Sequence, residues 1–256
     1  MRIGICCGPE AARDAIAAGF DYVELSLQLL KGQSDDYDPT PFEGVGWETS
    51  NLFFPAGFRI YGPEADNWQA YARRVSERAS ALGVRVLVLG SGGIRKAPSG
   101  KARDQAEREF VEIAASLHAI AQEYGVAVAL ESLNRTETDV GNSLPVLATA
   151  LAAKGAPYTA DSYHVLKDWD LGGRVGDPSG DNFWREQLPH PPTHCHLGDL
   201  HRNVPDAGDP AIIGFLRRLH QLGYARRVSL EASTRDFPLP EVARRMRELV
   251  AAACAG

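Results

Sequence analysis

Apolar residues in this chain follow two alternating rhythms. Short unbroken runs, such as Val86-Leu87-Val88-Leu89 and Val128-Ala129-Leu130, suit strands buried on both faces. Longer stretches between them have a helical period. Trp68, Ala72, Val75, Ala79 and Leu82 share one face, as do Phe110, Ala114, Leu117 and Ala121. The junctions repeat as well: a helical stretch closes on a glycine and gives way to a β-rich run at Gly19, Gly83, Gly125 and Gly223. Glycine adopts the left-handed conformation that closes a helix C-terminus, so the chain can turn straight into a buried strand.

This pattern predicts strands near 2–6, 22–27, 46–53, 85–90, 126–132, 158–163, 193–198 and 227–232. It predicts helices near 9–18, 64–82, 102–124, 142–154, 178–187, 209–222 and 239–253, and none in the polar segment Asp35 to Phe42 after the second strand. Repeated βα units predict a parallel sheet, and eight of them over residues 1–256 predict one single-domain (β/α)8 (TIM) barrel. A doubly wound open sheet is the rival, but no GxGxxG follows the first strand. The longest irregular stretch, Lys167 to His190, contains Trp169, Phe183 and Trp184 and reads as a lid or as a surface excursion pinned by its aromatics.

Composition narrows the function classes. With 27 basic and 33 acidic residues the formal charge is −6, which disfavours a nucleic-acid partner. No apolar run is long enough to span a bilayer and no signal-peptide core follows Met1, so no membrane is expected and the cytoplasm is the plain reading. Cys6, Cys7, Cys195 and Cys254 show no CxxC spacing and read as reduced, structural thiols.

A barrel of this kind carries its chemistry at the C-terminal strand ends. Glu131, Asp161, His196 and Glu231 end predicted strands five to eight. Converging carboxylates repel one another unless a cation lies between them. Three carboxylates and one imidazole therefore point to one divalent ion, with Mn²⁺, Mg²⁺ or Co²⁺ more natural than Zn²⁺. Cys195 alternates with His194 and His196 and should face the helices. His194 shares the inward face of His196 and reads either as packing or as a site residue, while Glu24 reads as a structural anchor.

These residues also carry a resemblance. The run Glu131-Ser-Leu-Asn134-Arg135-Thr-Glu137, the Asp161-Ser-Tyr-His164 motif, the segment His196-Leu-Gly-Asp-Leu-His-Arg202 with Val204-Pro205, and Glu231 resemble the xylose-isomerase-like sugar isomerase and epimerase superfamily. The motifs are most similar to those of ketose 3-epimerases and hydroxypyruvate isomerases. Gly90-Ser-Gly-Gly-Ile-Arg95 is similar to a strand-four loop of the same superfamily. Two departures stand out: Pro205-Asp206-Ala207-Gly208 replaces the usual Pro-Gly-x-Gly, and the element after strand two is short.

The resemblance implies that Glu131, Asp161, His196 and Glu231 bind the metal. It also implies that Glu131 and Glu231 move a proton on opposite faces of a sugar, and that Glu137, His164 and Arg202 contact substrate. His164 could equally orient Asp161, and the glycine-rich loop could cradle a phosphate or be a tight turn. The implied activity is isomerisation or epimerisation of a ketose, sugar phosphate or small hydroxy-carbonyl compound through an enediolate. A metal-dependent dehydratase of inosose or dehydroshikimate type uses the same chemistry and is the runner-up. An apurinic endonuclease is disfavoured because strands two to four carry no histidine, the first in the chain being His118. A non-catalytic binding protein is disfavoured by the complete ligand set. The expected partner is a small molecule, and self-association into a homo-oligomer stays open.

Overall fold

The computed structural model describes residues 1–63 and 65–255. Eight parallel strands close on themselves in chain order: β1 (Arg2–Cys6), β2 (Tyr22–Ser26), β3 (Trp47–Asn51), β4 (Val86–Leu89), β5 (Ala127–Glu131), β6 (Tyr158–Asp161), β7 (His194–Leu197) and β8 (Arg227–Leu230). Pairing of β1 with β8, with Ile3 opposite Val228, seals the barrel. The outer layer comprises α1 (Pro9–Ala17), α2 (Trp68–Ala81), α3 (Arg103–Gln122), α4 (Leu144–Ala152), α5 (Ser162–Leu171), α6 (Asp181–Gln187), α7 (Pro210–Gln221) and α8 (Leu239–Cys254). The four predicted helix-closing glycines have φ between 71° and 104°, as the left-handed cap requires. Among the described residues, no helix is long and apolar enough to cross a membrane.

Several boundaries differ from expectation, two of them for reasons visible in the caps. Strand six stops at Asp161 rather than 163, and α5, which the pattern did not predict, begins at the next residue. The cause is a cap: Asp161 Oδ1 accepts the Tyr163 amide at 2.7 Å, so strand becomes helix with no loop between. Helix α2 starts at Trp68, capped by Asn67, whose side chain accepts from the Ala70 amide at 3.0 Å; of the predicted start, Glu64 lies outside the described residues. After β2 the chain forms only 3₁₀ turns at Leu27–Leu30 and Thr40–Phe42, in line with the missing helix.

The main apolar core lies between strands and helices. Inside the barrel a separate apolar group holds only Val86, Val88 and Ala129. The rest of that interior is polar: Glu24, Thr49, His194, His196 and Ser229 are each fully buried. Such groups are tolerated only when they satisfy one another. The polar interior sits directly under the rim where β5 to β8 end.

Candidate metal centre

Barrel closure brings four strand ends together. One ligand atom from each of Glu131, Asp161, His196 and Glu231 falls within 4.8 Å of all the others. Glu131 and Asp161 are the last residues of β5 and β6, His196 lies one residue inside the end of β7, and Glu231 follows β8 directly. His196 Nδ1 lies 2.7 Å from Glu131 Oε1 and 3.7 Å from Glu231 Oε2. Asp161 gives one oxygen to the cap of α5. Its Oδ2 is buried without a hydrogen-bond partner among the described residues.

Burial and crowding leave these carboxylates short of positive charge. Burial pushes Asp161 up to about 8, helped by the Glu131 carboxylate. Burial also raises Glu131 against the pull of His196. Desolvation opposes a charge on His196, but Glu24, Glu131 and Glu231 outweigh it and hold the imidazole well above its ordinary range. A divalent cation fits this donor set: hard oxygens, one imidazole and an orphaned buried carboxylate oxygen aimed at the cluster.

The wall of the site is built by residues at or after six strand ends, those of β3 to β8. Glu231 is held on both oxygens: Asn51 Nδ2 donates to Oε1 at 2.8 Å and Arg202 Nη2 to Oε2 at 2.7 Å. Arg202 has φ of 60° and its guanidinium lies 5.0 Å from the Tyr163 ring centre, with Glu137 3.6 Å from its Nη1. Asn134 Nδ2 donates to Glu137 Oε1 at 3.0 Å and lies 2.9 Å from His164 Nδ1, which also accepts the Asn134 amide at 3.2 Å. With Nδ1 accepting, His164 carries its proton on Nε2, 3.6 Å from Asp161 Oδ2. Burial pushes His164 well below its ordinary range, so the ring is neutral. A cavity of about 290 Å³ opens onto Glu131, Glu231, Glu137, His164 and Arg202 together. A larger cavity of about 440 Å³, near Arg135 and Trp169, contains none of these five.

Asn51 and Leu52 escaped the sequence reading of the site, while Gly90 and Asn134 stood in its motifs without a role of their own. Asn51 ends β3 and obeys the same strand-end rule as the four ligand candidates, so the signal was present. Leu52 has φ of 50° at the cavity rim, which no sequence pattern announces. Gly90 lies so close to Glu131 that a Cβ there would stand 2.2 Å from Oε2. The loop it begins forms a 3₁₀ turn over Gly92–Ile94, and Arg95 turns inward to donate to the Glu131 and Leu89 carbonyls. Glu24 is an anchor as expected, and it binds His194 and His196 together.

A family model described as xylose isomerase-like TIM barrel matches residues 12–252. No curated protein matches the sequence. Among solved structures, L-ribulose 3-epimerase is similar with a TM-score of 0.70 or better, at 0.73, and 17% identity over 99% of this chain and 96% of its own. D-psicose 3-epimerase with D-tagatose from Clostridium cellulolyticum H10 has a TM-score of 0.69 and 19% identity, over 100% of this chain and 96% of its own. IOLI protein with a binding zinc atom has a TM-score of 0.65 and 14% identity, over 100% and 98%. At these identities the likeness is one of fold.

Proposed function

This chain belongs to the xylose isomerase-like TIM-barrel family, and from that premise we propose a divalent-metal-dependent sugar isomerase or epimerase that works through an enediolate. The observation that carries the reading is the cluster of Glu131, Asp161, His196 and Glu231, which lies against a cavity of sugar size. Epimerases of free ketoses among the similar structures support it.

A cation held by these four side chains would polarise a substrate carbonyl and a neighbouring hydroxyl. The chain's own residues supply the rest. Glu131 and Glu231 are the proton-transfer pair, one removing the proton next to the carbonyl and the other returning it. Asn51 and Arg202 fix the plane of the Glu231 carboxylate. His164 presents an N–H, and Glu137 an acceptor, to substrate hydroxyls.

An uncharged substrate suits the site better than a phosphorylated one. Among the described residues lining the cavity, Arg202 is the one cationic side chain, and Glu231 and Glu137 already engage it. The test is incubation with Mn²⁺ and a panel of ketoses, aldoses, sugar phosphates and hydroxypyruvate in D₂O. Deuterium should enter the carbon beside the carbonyl as the isomer or epimer forms. Glu231→Gln should lower turnover by about 10²- to 10⁴-fold with the barrel intact. Near-normal turnover in that variant, or loss of water in place of isomerisation, would overturn the reading.

A further inference from the structure

The polar interior beneath the cluster centres on Glu24, a carboxylate the proton transfer does not use. It is fully buried on β2, and four donors converge on it. His196 Nε2 lies 2.8 Å from Oε1. His194 Nε2 at 2.8 Å, Thr49 Oγ1 at 2.7 Å and Ser229 Oγ at 2.6 Å share Oε2. Tyr22 Oη stands 2.9 Å behind Ser229. Both oxygens therefore accept, as an ionised carboxylate can, with three donors crowded on Oε2 and one on Oε1.

His196 thus stands between two sets of carboxylates. Its Nδ1 faces Glu131 and Glu231, and its Nε2 faces Glu24. We propose that Glu24 is a positioning residue for the metal centre: by accepting the Nε2 proton of His196, it fixes the tautomer whose Nδ1 lone pair points into the cluster. The inference rests on the metal reading above. A carboxylate behind a ligating imidazole orients the ring and strengthens it as a donor. His194 completes the arrangement from the other oxygen, its ring edge-on to that of His196 with centroids 5.0 Å apart. Cys6, Glu24 and His196 also bring ligand atoms within 4.8 Å of one another. His196 meets Glu24 through Nε2, the nitrogen whose proton Oε1 accepts, so that nitrogen is not free to bind an ion beside Glu24.

Wild-type protein labelled with ¹⁵N-histidine and titrated with Cd²⁺ tests this without altering the fold. His196 Nε2 should stay protonated, and Nδ1 should shift and couple to the metal. Glu24→Gln has one acceptor oxygen where the carboxylate has two, so His196 and His194 can no longer donate as they do. Its Kd for Mn²⁺ should rise about 10- to 100-fold, with an unchanged circular dichroism spectrum. Coordination through Nε2, or an unaltered Kd in folded Glu24→Gln, overturns the inference and leaves the metal reading standing. Wild-type protein that binds no divalent ion overturns both.

Discussion

Asn51 Nδ2 donates to Glu231 Oε1 at 2.8 Å, tying the end of β3 to the residue after β8 across the barrel mouth. Arg202 occupies the other oxygen, so the carboxylate proposed to move a proton has no rotational freedom left. A hydrogen bond to a charged group contributes about 1.5–3 kcal/mol. Lost selectively from the transition state, that corresponds to roughly 10- to 100-fold in rate. Asn51→Ala should therefore lower kcat by about that factor and leave the melting temperature nearly unchanged. Steady-state kinetics beside a thermal melt checks this, and an unaltered kcat would show that Arg202 alone suffices.

Gly90 gives Glu131 the room it occupies. A Cβ at that position would stand 2.2 Å from Glu131 Oε2 and 3.4 Å from its Cδ, so the carboxylate must swing away. Gly90→Ala should weaken Mn²⁺ binding and reduce turnover by on the order of 10²-fold, since displacement of a reacting group by about 1 Å has that effect. Calorimetry of Mn²⁺ binding, with circular dichroism to confirm the barrel, decides it. Wild-type affinity in this variant would mean that Glu131 can bind from a second rotamer.

Much of this arrangement was legible before the fold was known. Period and glycine placement located all eight strands, because short apolar runs mark several of them and four of the incoming helices close on a left-handed glycine. The convergence of Glu131, Asp161, His196 and Glu231 followed from strand ends alone, since a closed barrel brings its rim to one place. The bond from Asn51 to Glu231 joins positions 180 residues apart and follows only from registers around the whole barrel. Helix α5 was hidden because Asp161 serves both as the end of β6 and as the cap of the helix, leaving no loop to read. Glu24 stood out as an anchor, but the number of donors on it depends on β2, β3, β7 and β8 all facing inward at one level.

Metal removal should make stability depend on pH in a defined sense. Asp161 rises from its ordinary 3.8 to about 8, and His196 stands well above its ordinary 6.5. Both bind their protons more tightly in the folded chain than in the unfolded one. Their contribution is therefore complete at low pH and is lost as pH rises, from 3.8 to about 8 for Asp161 and from 6.5 upward for His196. The opposing groups are Glu24, below its ordinary 4.5, and His118, His164 and His194, each held below its ordinary 6.5, which offset part of that loss as pH rises through 6.5. Chelator-treated protein should melt at lower temperature at about pH 8 than at about pH 6. Added Mn²⁺ should restore more at the higher pH, where fewer protons compete, approaching ~2.7 kcal/mol at 100 times Kd. Scanning calorimetry at both pH values tests the sign, and a flat metal-free profile would refute it.

The stretch from Lys167 to His190 bears on whether the cavity has a lid. Trp184 in α6 is fully buried, donates to the Pro178 carbonyl at 2.6 Å and packs edge-on against Phe215 of α7 with ring centres 5.0 Å apart. Gly214 makes room for it, since a Cβ there would meet Trp184 Cδ1 at 2.9 Å. None of residues 167–190 lines the cavity beside the metal cluster. The second half of the stretch is therefore an anchored excursion, and its tryptophan contributes to stability rather than to turnover. Trp184→Ala should cost about 3–5 kcal/mol in a urea titration, in line with buried aromatic truncations. Well below its melting temperature, the variant should keep kcat and KM close to wild type. A large rise in KM with little loss of stability would instead mark the segment as part of the substrate path.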